Sequence, residues 1–471
     1  MERQPLNEPI ERSSRSSSYR GGLTEPAPGP RDRLLDHARA VVDLAFGPVA
    51  TRSFDVRYWD GSVDRSPLSS TAFRLGVNRP GALRRMLLPP SELSIVESYL
   101  SGDIDIDGAL EAAMGLADEI GARVGSPGVL ARLVGHLLAL PRRDAVVDVR
   151  SARSTAVVEP VGKPHDPTRD RAAIRFHYDV GNEFYALWLD ERMVYSCAYY
   201  HAATDTLDEA QRAKLDLICR KLRLHPGQRF LDVGCGWGAL IIHAVQHYGV
   251  TALGITLSDA QATLARERIA AAGLEDRCRV EIRDYRALPP DARFDRIASV
   301  GMIEHVGATH LAAYFAALHR ALEPGGLLLN HGIVSLKEAR PRGPLTWISD
   351  RVWRRDAFIH QYVFPDGKLT AFRAVVAAAE RAGFETRDVE SLREHYALTL
   401  RAWVARLARN RERAVELTSD RIVRIWRLYM TASAYAFAHA RINVLQTLLA
   451  KPAADGRVDL PMTREDLLTR V

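Results

Sequence analysis

The sequence is poor in cysteine and has no long hydrophobic run. Only four of its 471 residues are cysteine, and no two of them have the spacing of a zinc site or a redox pair. This favours a reducing compartment, and we expect no metal centre. No stretch of about 18 uncharged apolar residues occurs, so we expect no membrane-spanning helix. No apolar segment of a secretion signal lies near the first residue, and we therefore expect a cytoplasmic protein.

Charged residues of both signs are frequent, and positive ones are in slight excess. The chain has 64 lysines and arginines against 58 aspartates and glutamates, a net charge of +6. Arginine supplies most of the positive charge and suits phosphate or carboxylate surfaces, although an arginine-rich proteome would give the same composition. Hydrophobic residues make up 47% of the chain, enough for a sizeable core. No RNA-binding module is evident, so we expect no nucleic-acid partner.

Composition and periodicity divide the chain into four parts. Residues 1–32 are rich in serine, arginine, proline and glycine, and we predict a disordered tail. Residues 33–150 combine helical and strand patterns, which predicts a small α+β accessory unit. Residues 151–170 are interpreted as an irregular linker. Residues 171–471 contain the segments that carry chemistry and are predicted to form a catalytic domain with a helical C-terminal extension.

The N-terminal unit has recognisable helix and strand patterns. Residues Arg33–Phe46 have the period of an amphipathic helix, and alternation around Val56 and Leu75 predicts two strands. Ser91 is a predicted N-cap for a helix that ends at Leu100.

An acidic repeat begins at Asp103 and imitates the start of a calcium loop. The twelfth position of such a loop would be Met114, where a bidentate glutamate is required, so we reject a calcium site. We predict instead a turn followed by a helix from about Gly108 to Val124. A further amphipathic helix over Val129–Leu140 is interpreted as a packed helix with a basic end.

The most informative segment reads FLDVGCGWG and ends at Gly238. An apolar run over Arg229–Val233 predicts a buried strand, which stops at three closely spaced glycines before an amphipathic segment. Such a turn forms a nucleotide cradle, because glycine lets a ligand approach the backbone and the helix N-terminus. The spacing G-x-G-x-G, with Asp232 before it, differs from the G-x-G-x-x-G of dinucleotide enzymes. It resembles the first motif of class I S-adenosylmethionine methyltransferases; the alternative is a glycine turn in another doubly wound sheet.

Further strands and a capped helix are predicted after this loop. The strands are Val250–Leu257, Arg279–Ile282, Phe294–Val300 and Leu327–Asn330, and Ser258 can cap a helix over Asp259–Ala271. Strands that alternate with helices predict an α/β fold, a doubly wound parallel sheet with its ligand at the carboxyl ends of the strands. Five positions fall at or just past such ends and are expected to converge: Gly234, Thr256, Asp284, Glu304 and His331.

A longer constellation carries a specific resemblance. Residues 174–200 contain H-Y-D-x-G-N-x-F-Y, then L-D, then Y-S-C-A-Y. Further ordered segments include SVGMIEHVG at 299–307 and HYALTLRAW at 395–403. Together they resemble the cyclopropane-fatty-acid synthase family, over about residues 171–447. The resemblance implies a class I methyltransferase fold, Rossmann-like, with S-adenosylmethionine as cofactor.

The resemblance also implies a reaction. The π bond of a cis-unsaturated phospholipid acyl chain attacks the methyl carbon of S-adenosylmethionine, and a base then takes a proton from the new methyl group so that a cyclopropane ring closes. Family members are thought to hold a bicarbonate ion for this purpose. A methylene- or methyl-branched product is the nearest alternative, since it differs in which proton leaves. A methyltransferase for a small molecule and a non-enzymatic lipid-binding protein are weaker alternatives.

The site residues implied by the resemblance form two sets. The bicarbonate shell would comprise Cys197, Glu304, His331, Ile333 (through its backbone) and Tyr396. In the cofactor set, Tyr195 and Ser196 would approach the methionine part, Gly234 and Gly236 would form the cradle beside Asp232, Thr256 and Gln261 would hold the ribose, and Asp284 would receive the adenine amino group. Backbone amide, imidazole and phenol groups can donate to an anion, and a carboxylate can accept its hydroxyl proton. Taken alone, Cys197 would more often be a small buried hydrophobe and His331 a satisfied histidine.

The chain departs from the family pattern at 338–361, which is rich in arginine and tryptophan. With the positive net charge, Trp347 and Trp353 of this segment predict peripheral contact with the inner face of a membrane. In the C-terminal segment, Arg421, Arg424 and Arg427 could contact lipid phosphates; the alternative is a solvated helix face with Glu412 and Glu416 as partners. A homodimer is a further expectation.

Overall fold

The computed structural model describes residues 33–68, 70–116, 123, 126–142, 180–336, 357–363 and 369–468. The predicted tail 1–32, the linker 151–170, the H-Y-D residues and most of 338–361, including Trp347 and Trp353, lie outside the described residues. Within the described part, one small sheet lies in the N-terminal unit and one large sheet in the catalytic part.

The N-terminal sheet has the strand order β2-β1-β3-β4. β1 pairs parallel with β3, and the two outer pairs are antiparallel. The strands are β1 (Asp55–Arg57), β2 (Val63–Asp64), β3 (Phe73–Val77) and β4 (Ile104–Gly108). The helices are Arg33–Phe46, Ala82–Leu87, Glu92–Leu100, Leu110–Ala113 and Pro127–Ala139, with a short 3₁₀ turn at Val49–Thr51.

The predicted helices at both ends of this unit are confirmed. Helix Arg33–Phe46 has the predicted bounds. The Ser94 backbone N–H donates to Ser91 Oγ at 3.0 Å, which is the predicted N-cap. The helix Pro127–Ala139 buries Leu133 and Leu137 and packs on the first helix, as its amphipathic pattern indicates.

The turn predicted at the acidic repeat is wrong, because this segment forms the edge strand β4. Ile104 and Ile106 are buried, while Asp105 and Asp107 lie on the other face. The alternation therefore has the period of a strand, and pairing with β3 outweighs the low strand propensity of aspartate. The helix predicted from Gly108 begins at Leu110, and its first turn ends at Ala113.

The large sheet has the order β11-β12-β9-β8-β5-β6-β7, with β10 beside β9. The strands β9, β8, β5, β6 and β7 are parallel to one another, while β12 and β11 are antiparallel additions at one edge. Their bounds are β5 (Arg229–Val233), β6 (Thr251–Thr256), β7 (Cys278–Ile282), β8 (Phe294–Val300), β9 (Leu322–Ser335), β10 (Thr370–Ala371), β11 (Glu385–Ser391) and β12 (Ile442–Ala450). Separate apolar clusters cover its two faces, so the predicted doubly wound α/β sheet is confirmed.

Helices of the catalytic part lie on both faces and continue into the C-terminal extension. They are Asn182–Ala186, Leu207–Lys221, Ala239–Tyr248, Asp259–Ala271, Ile303–Val306, Leu311–Ala321, Ala357–Tyr362, Phe372–Arg381, Arg393–Arg409, Arg411–Leu417, Asp420–Ala438 and Glu465–Leu468. Two 3₁₀ turns, Tyr285–Ala287 and Ala308–His310, connect elements. The predicted cap is confirmed, because Gln261 N–H donates to Ser258 Oγ at 3.3 Å.

The strand predicted at Leu327–Asn330 is longer than expected and extends over 322–335. His331 therefore lies within β9 and does not follow it. β8 accompanies β9 as far as the pair Val300–His331, and beyond that point β12 keeps β9 extended up to the pair Ile442–Ser335. No local pattern predicts this, because β12 comes from more than a hundred residues later in the chain.

Arg421, Arg424 and Arg427 bind the N-terminal unit, so the alternative of a solvated helix face with Glu412 and Glu416 as partners is wrong for them. Contact of these arginines with lipid phosphates stays a prediction. Arg424 Nη2 lies 3.2 Å from Asp105 Oδ2, and Arg421 Nη2 lies 3.1 Å from Glu97 Oε2. Arg427 donates to the Gly108 carbonyl at 3.3 Å. These guanidinium groups therefore join the helix Asp420–Ala438 to β4 and to the helix Glu92–Leu100 of the N-terminal unit.

No helix within the described ranges combines the length and the apolarity needed to cross a membrane.

The Arg424–Asp105 ion pair is expected to stabilise the junction between the two units. Arg424→Met should lower the free energy of unfolding by about 1–2 kcal/mol, because Asp105, the Tyr99 carbonyl and Asp420 would all lose a partly shielded charged donor. Urea unfolding of the full chain measures this. The matched control is Arg457→Met, whose side chain is 85% exposed and pairs with Asp455. Equal effects of the two substitutions would contradict the assignment.

Candidate active site

One cavity lies at the carboxyl ends of β5, β6 and β8. All eight predicted cofactor residues line it: Tyr195, Ser196, Asp232, Gly234, Gly236, Thr256, Gln261 and Asp284. The sheet accounts for this convergence, because parallel neighbouring strands end at the same edge.

The glycine loop is held against β6 and leaves open space in front of it. The backbone N–H groups of Gly234 and Cys235 both donate to the Ile255 carbonyl, at 2.9 and 3.0 Å. Gly236 has φ +54°, and a methyl group added there would meet no protein atom within 4 Å. A larger side chain at Gly236 would therefore occupy space that a ligand of the cavity can use.

Asp232 places an unpaired acceptor at this cavity. Its carboxyl group is buried, and Oδ1 has no hydrogen-bond partner among the described residues. Burial raises the pKa of Asp232 to about 7, while the nearby Lys214 ammonium opposes the rise. A buried carboxylate without a partner suits a cationic amine that enters the cavity.

The predicted ribose and adenine residues are preorganised by hydrogen bonds. Thr256 Oγ1 donates to Gln261 Oε1 at 2.8 Å, so the two side chains expected to share a ribose are in contact. The Asp284 carboxylate accepts from Arg286, whose Nη2 lies 2.6 Å from Oδ2 and whose backbone N–H lies 2.8 Å from Oδ1. Arg286 also lines the cavity, and sequence reasoning did not identify it.

Sequence reasoning also missed Lys214, a fully buried lysine in the cavity wall. Its Nζ donates to Ser196 Oγ at 3.0 Å, and burial lowers its pKa to about 8. A signal was present: in the helix Leu207–Lys221, Lys214 falls on the same face as the apolar Leu207, Ala210 and Ile218. A lysine on the apolar face of an amphipathic helix needs a buried partner.

The five predicted bicarbonate residues do not line this cavity and lie beyond it. Glu304 and Ile333 are in direct contact, since the Ile333 N–H donates to Glu304 Oε1 at 2.7 Å. The other carboxylate oxygen, Oε2, is buried without a partner among the described residues, and burial raises the pKa of Glu304 to about 7. The helix Ile303–Val306 holds Glu304 against β9.

Cys197 and Tyr396 both contact the backbone carbonyl of Leu392. The Leu392 carbonyl accepts from the Tyr396 backbone N–H at 3.0 Å and lies 3.7 Å from Cys197 Sγ. Burial raises the pKa of Cys197 well above its usual value, so this thiol stays protonated and is a poor nucleophile. The Tyr396 ring packs on Phe437 with 4.7 Å between ring centroids.

His331 is buried and is bonded to a residue that the sequence did not point to. Its Nδ1 lies 3.1 Å from Gln446 Nε2, whereas Nε2 has no partner among the described residues. Burial, with the nearby Lys214 and Lys221 charges, lowers its pKa to about 3. The imidazole is therefore neutral near pH 7.

A cluster of buried aromatic rings packs against Tyr195, which lines the cavity. The Tyr195 ring lies 5.3 Å from Trp403 and 5.5 Å from Trp188, measured between centroids. Trp426 of the C-terminal extension packs 5.5 Å from Trp188. An apolar, largely water-free wall thus adjoins the predicted methionine contact.

This fold and cavity define a class I methyltransferase domain, and comparisons identify its family. Residues 165–447 match the family model of mycolic acid cyclopropane synthetase, and residues 42–119 match a domain of unknown function. The chain belongs to the mycolic acid cyclopropane synthetase family, as the sequence resemblance predicted.

Relatives and solved structures agree with this membership. A probable fatty acid methyltransferase of Pseudomonas putida is 48% identical over 311 residues, 65% of this chain and 76% of that protein. A probable fatty acid methyltransferase of Mycobacterium tuberculosis is 34% identical over 82% of this chain and 89% of its own length. A crystal structure of the mycolic acid cyclopropane synthase CmaA1, complexed with SAH and CTAB, is 38% identical with a TM-score of 0.56, and covers 62% of this chain and 99% of that one.

Cofactor binding is expected to weaken as the pH falls below about 7. Protonation of Asp232, whose pKa is raised to about 7, removes the acceptor that a cationic amine needs. Since the ligand favours the ionised carboxylate, protons compete with it, and affinity should fall by up to about tenfold per pH unit. Calorimetric titration with S-adenosylhomocysteine measures this, and Asp232→Asn should remove the dependence. An unchanged pH profile in Asp232→Asn would contradict the role.

Gly236→Val should weaken binding of S-adenosylhomocysteine by about tenfold or more, because the added side chain enters the cavity. Gly273→Val is a matched control: Gly273 also has a positive φ, +65°, and open space around it, but lies outside the cavity. Calorimetry on both folded variants separates backbone strain from ligand exclusion. Equal affinities would show that the glycine loop is not the cradle.

Proposed function

We propose that this protein transfers a one-carbon unit from S-adenosylmethionine to the cis double bond of an unsaturated phospholipid acyl chain and forms a cyclopropane. The observation that carries the proposal is the arrangement of two adjacent sites. The cavity is lined by all eight predicted cofactor residues and by Val300, Met302 and His305. His331 is the strand partner of Val300, and Glu304 lies between Met302 and His305 in the chain. Both are buried, and each has a polar atom without a partner among the described residues.

The cofactor residues fit S-adenosylmethionine by charge and by shape. The Asp232 carboxylate accepts from the amino group, the loop at Gly236 lets the ligand approach the backbone, and Thr256 with Gln261 binds the ribose hydroxyls. The aromatic wall formed by Tyr195 and the buried Trp188 and Trp403 keeps water from the reacting methyl group.

The residues beyond the cavity fit a small anion such as bicarbonate. When bound, bicarbonate supplies the base for proton removal. Neutral His331 offers a ring N–H, and Glu304 Oε2 offers an acceptor for a hydroxyl proton. The Ile333 N–H is engaged by Glu304, so its contribution is to orient that carboxylate. Cys197 and Tyr396 belong to the proposed anion shell through the family resemblance, and Cys197 Sγ and the Tyr396 backbone N–H both contact the Leu392 carbonyl.

Peripheral contact with a membrane belongs to the same proposal, since a phospholipid chain must reach the site. Its support is the net charge of +6 and two exposed leucines, Leu130 (46% exposed) and Leu138 (55% exposed), on the helix Pro127–Ala139. A cytoplasmic location and a homodimer remain predictions.

A second candidate is a fatty acid methyltransferase that forms a methylene- or methyl-branched chain. It is favoured by the two relatives described as probable fatty acid methyltransferases. Expression in a host with unsaturated phospholipids, followed by mass spectrometry of its fatty acids, tests both candidates. A ring and a methylene branch have the same mass, but ozonolysis cleaves the branch and spares the ring. Fatty acids without an added carbon would reject both.

Glu304→Gln should lower turnover by about a hundredfold or more and leave cofactor affinity nearly unchanged. The glutamine carbonyl can still accept from the Ile333 N–H, but an NH₂ group replaces the acceptor Oε2. Product formation and calorimetry with S-adenosylhomocysteine separate the two effects. Removal of bicarbonate from the buffer should reproduce the loss in the unsubstituted enzyme.

The matched control for Glu304→Gln is Glu275→Gln, an exposed glutamate distant from the cavity. Glu275→Gln should change neither turnover nor cofactor affinity. Normal turnover of Glu304→Gln in bicarbonate-free buffer would remove Glu304 and bicarbonate from the mechanism.

A further inference from the structure

A buried chain of hydrogen bonds lies behind His331 and crosses three strands. Gln446 on β12 lies directly opposite His331 on β9, and Glu390 on β11 lies directly opposite Gln446. Lys221, the last residue of the helix Leu207–Lys221, binds Gln446 Oε1 at 2.7 Å and also binds Glu390. Gln446 and Lys221 are 1% and 2% exposed, so water has little access to these bonds.

The chemistry of lysine determines which way the Gln446 amide faces. A lysine ammonium only donates hydrogen bonds, so the Gln446 atom in contact with it must be the carbonyl oxygen. The Gln446 NH₂ group then faces His331 Nδ1, and it donates to that nitrogen. A neutral imidazole whose Nδ1 accepts a hydrogen bond must carry its proton on Nε2.

The charge state agrees with this orientation. Burial lowers the pKa of His331 to about 3, with Lys214 and Lys221 adding to the effect, so the ring is neutral at physiological pH. The hydrogen-bond chain behind the His331 ring consists of the Gln446 amide, the Lys221 ammonium and the Glu390 carboxylate. Its Nε2 is buried and has no partner among the described residues. An N–H donor is thus held ready at a fixed position.

We propose that Gln446 is a positioning residue that holds His331 as the Nε2–H tautomer, and that Lys221 sets the orientation of Gln446. The inference rests on the proposed function in one respect: it assigns His331 as a hydrogen-bond donor to the bound anion, and not as the base that removes the proton. Its structural part, the tautomer, is independent of the reaction.

Nuclear magnetic resonance of the full chain labelled with ¹⁵N-histidine reads the tautomer directly. We expect His331 Nδ1 to resonate as an unprotonated nitrogen and Nε2 as a protonated one. The signals are assigned by their loss in His331→Gln. Gln446→Glu should move the proton to Nδ1, because a carboxylate accepts where the amide donated. Lys221→Met should give a mixture of tautomers, since the amide is then free to turn.

His243 is an internal control, because it is another buried histidine, distant from Gln446 and in contact with His247. Its signals should stay unchanged in each variant if the fold is retained. Gln446→Leu should also lower turnover by about tenfold with cofactor affinity unchanged, the cost of one lost hydrogen bond.

The outcomes separate the tautomer from the reaction. A proton on Nδ1 in the unsubstituted protein would overturn the inference, whatever product the enzyme forms. Unchanged His331 signals in both Gln446→Glu and Lys221→Met would also overturn the inference, provided that the His243 signals show a retained fold. The predicted tautomer shifts in a protein that adds no carbon to acyl chains would support the inference and reject the proposed function.

Discussion

The pairing of β9 with β12 is the constraint on which the site depends. β9 is accompanied by β8 up to His331, and from there β12 continues the ladder on the other side. This extension carries the Ile333 N–H to Glu304 and sets Gln446 against His331. Because β12 follows the helix Asp420–Ala438, the same pairing also fixes the helix that binds the N-terminal unit. One antiparallel ladder thus couples the proposed anion site to the junction between the two units.

Three of the predicted site residues keep a buried polar atom without a hydrogen-bond partner among the described residues. These atoms are Asp232 Oδ1, Glu304 Oε2 and His331 Nε2. Each such atom costs about 1–3 kcal/mol in the absence of a ligand. Two are acceptors whose carboxyl pKa values are raised by burial, and the third belongs to a histidine whose pKa is lowered. The unpaired Asp232 carboxylate suits a cationic amine, and the proposed bicarbonate would use the donor of His331 and the acceptor of Glu304.

Buried lysines supply the compensating charge. Lys214 donates to Ser196 at the cavity, and Lys221 donates to Gln446, which is bonded to His331. They are two turns apart on one face of the helix Leu207–Lys221, so a single helix serves both sites. Since neither cation contacts bulk water freely, their positions are determined by the protein side chains around them.

The sequence by itself determined the parallel strands, the glycine loop and the helix caps, because these features depend on short-range patterns such as apolar runs and closely spaced glycines. The eight predicted cofactor residues were implied by the resemblance to the family, and all eight line the cavity. The acidic repeat at Asp103–Gly108 has the alternation of a strand as well as the residues of a turn, and pairing with β3 makes it a strand. Only the tertiary structure decided the length of β9, the partners of Arg421 and Arg424, and the contacts of His331 and Lys214. In each case the partner lies far away in the chain, and a distant strand or a buried charge has no periodic signal in the local sequence.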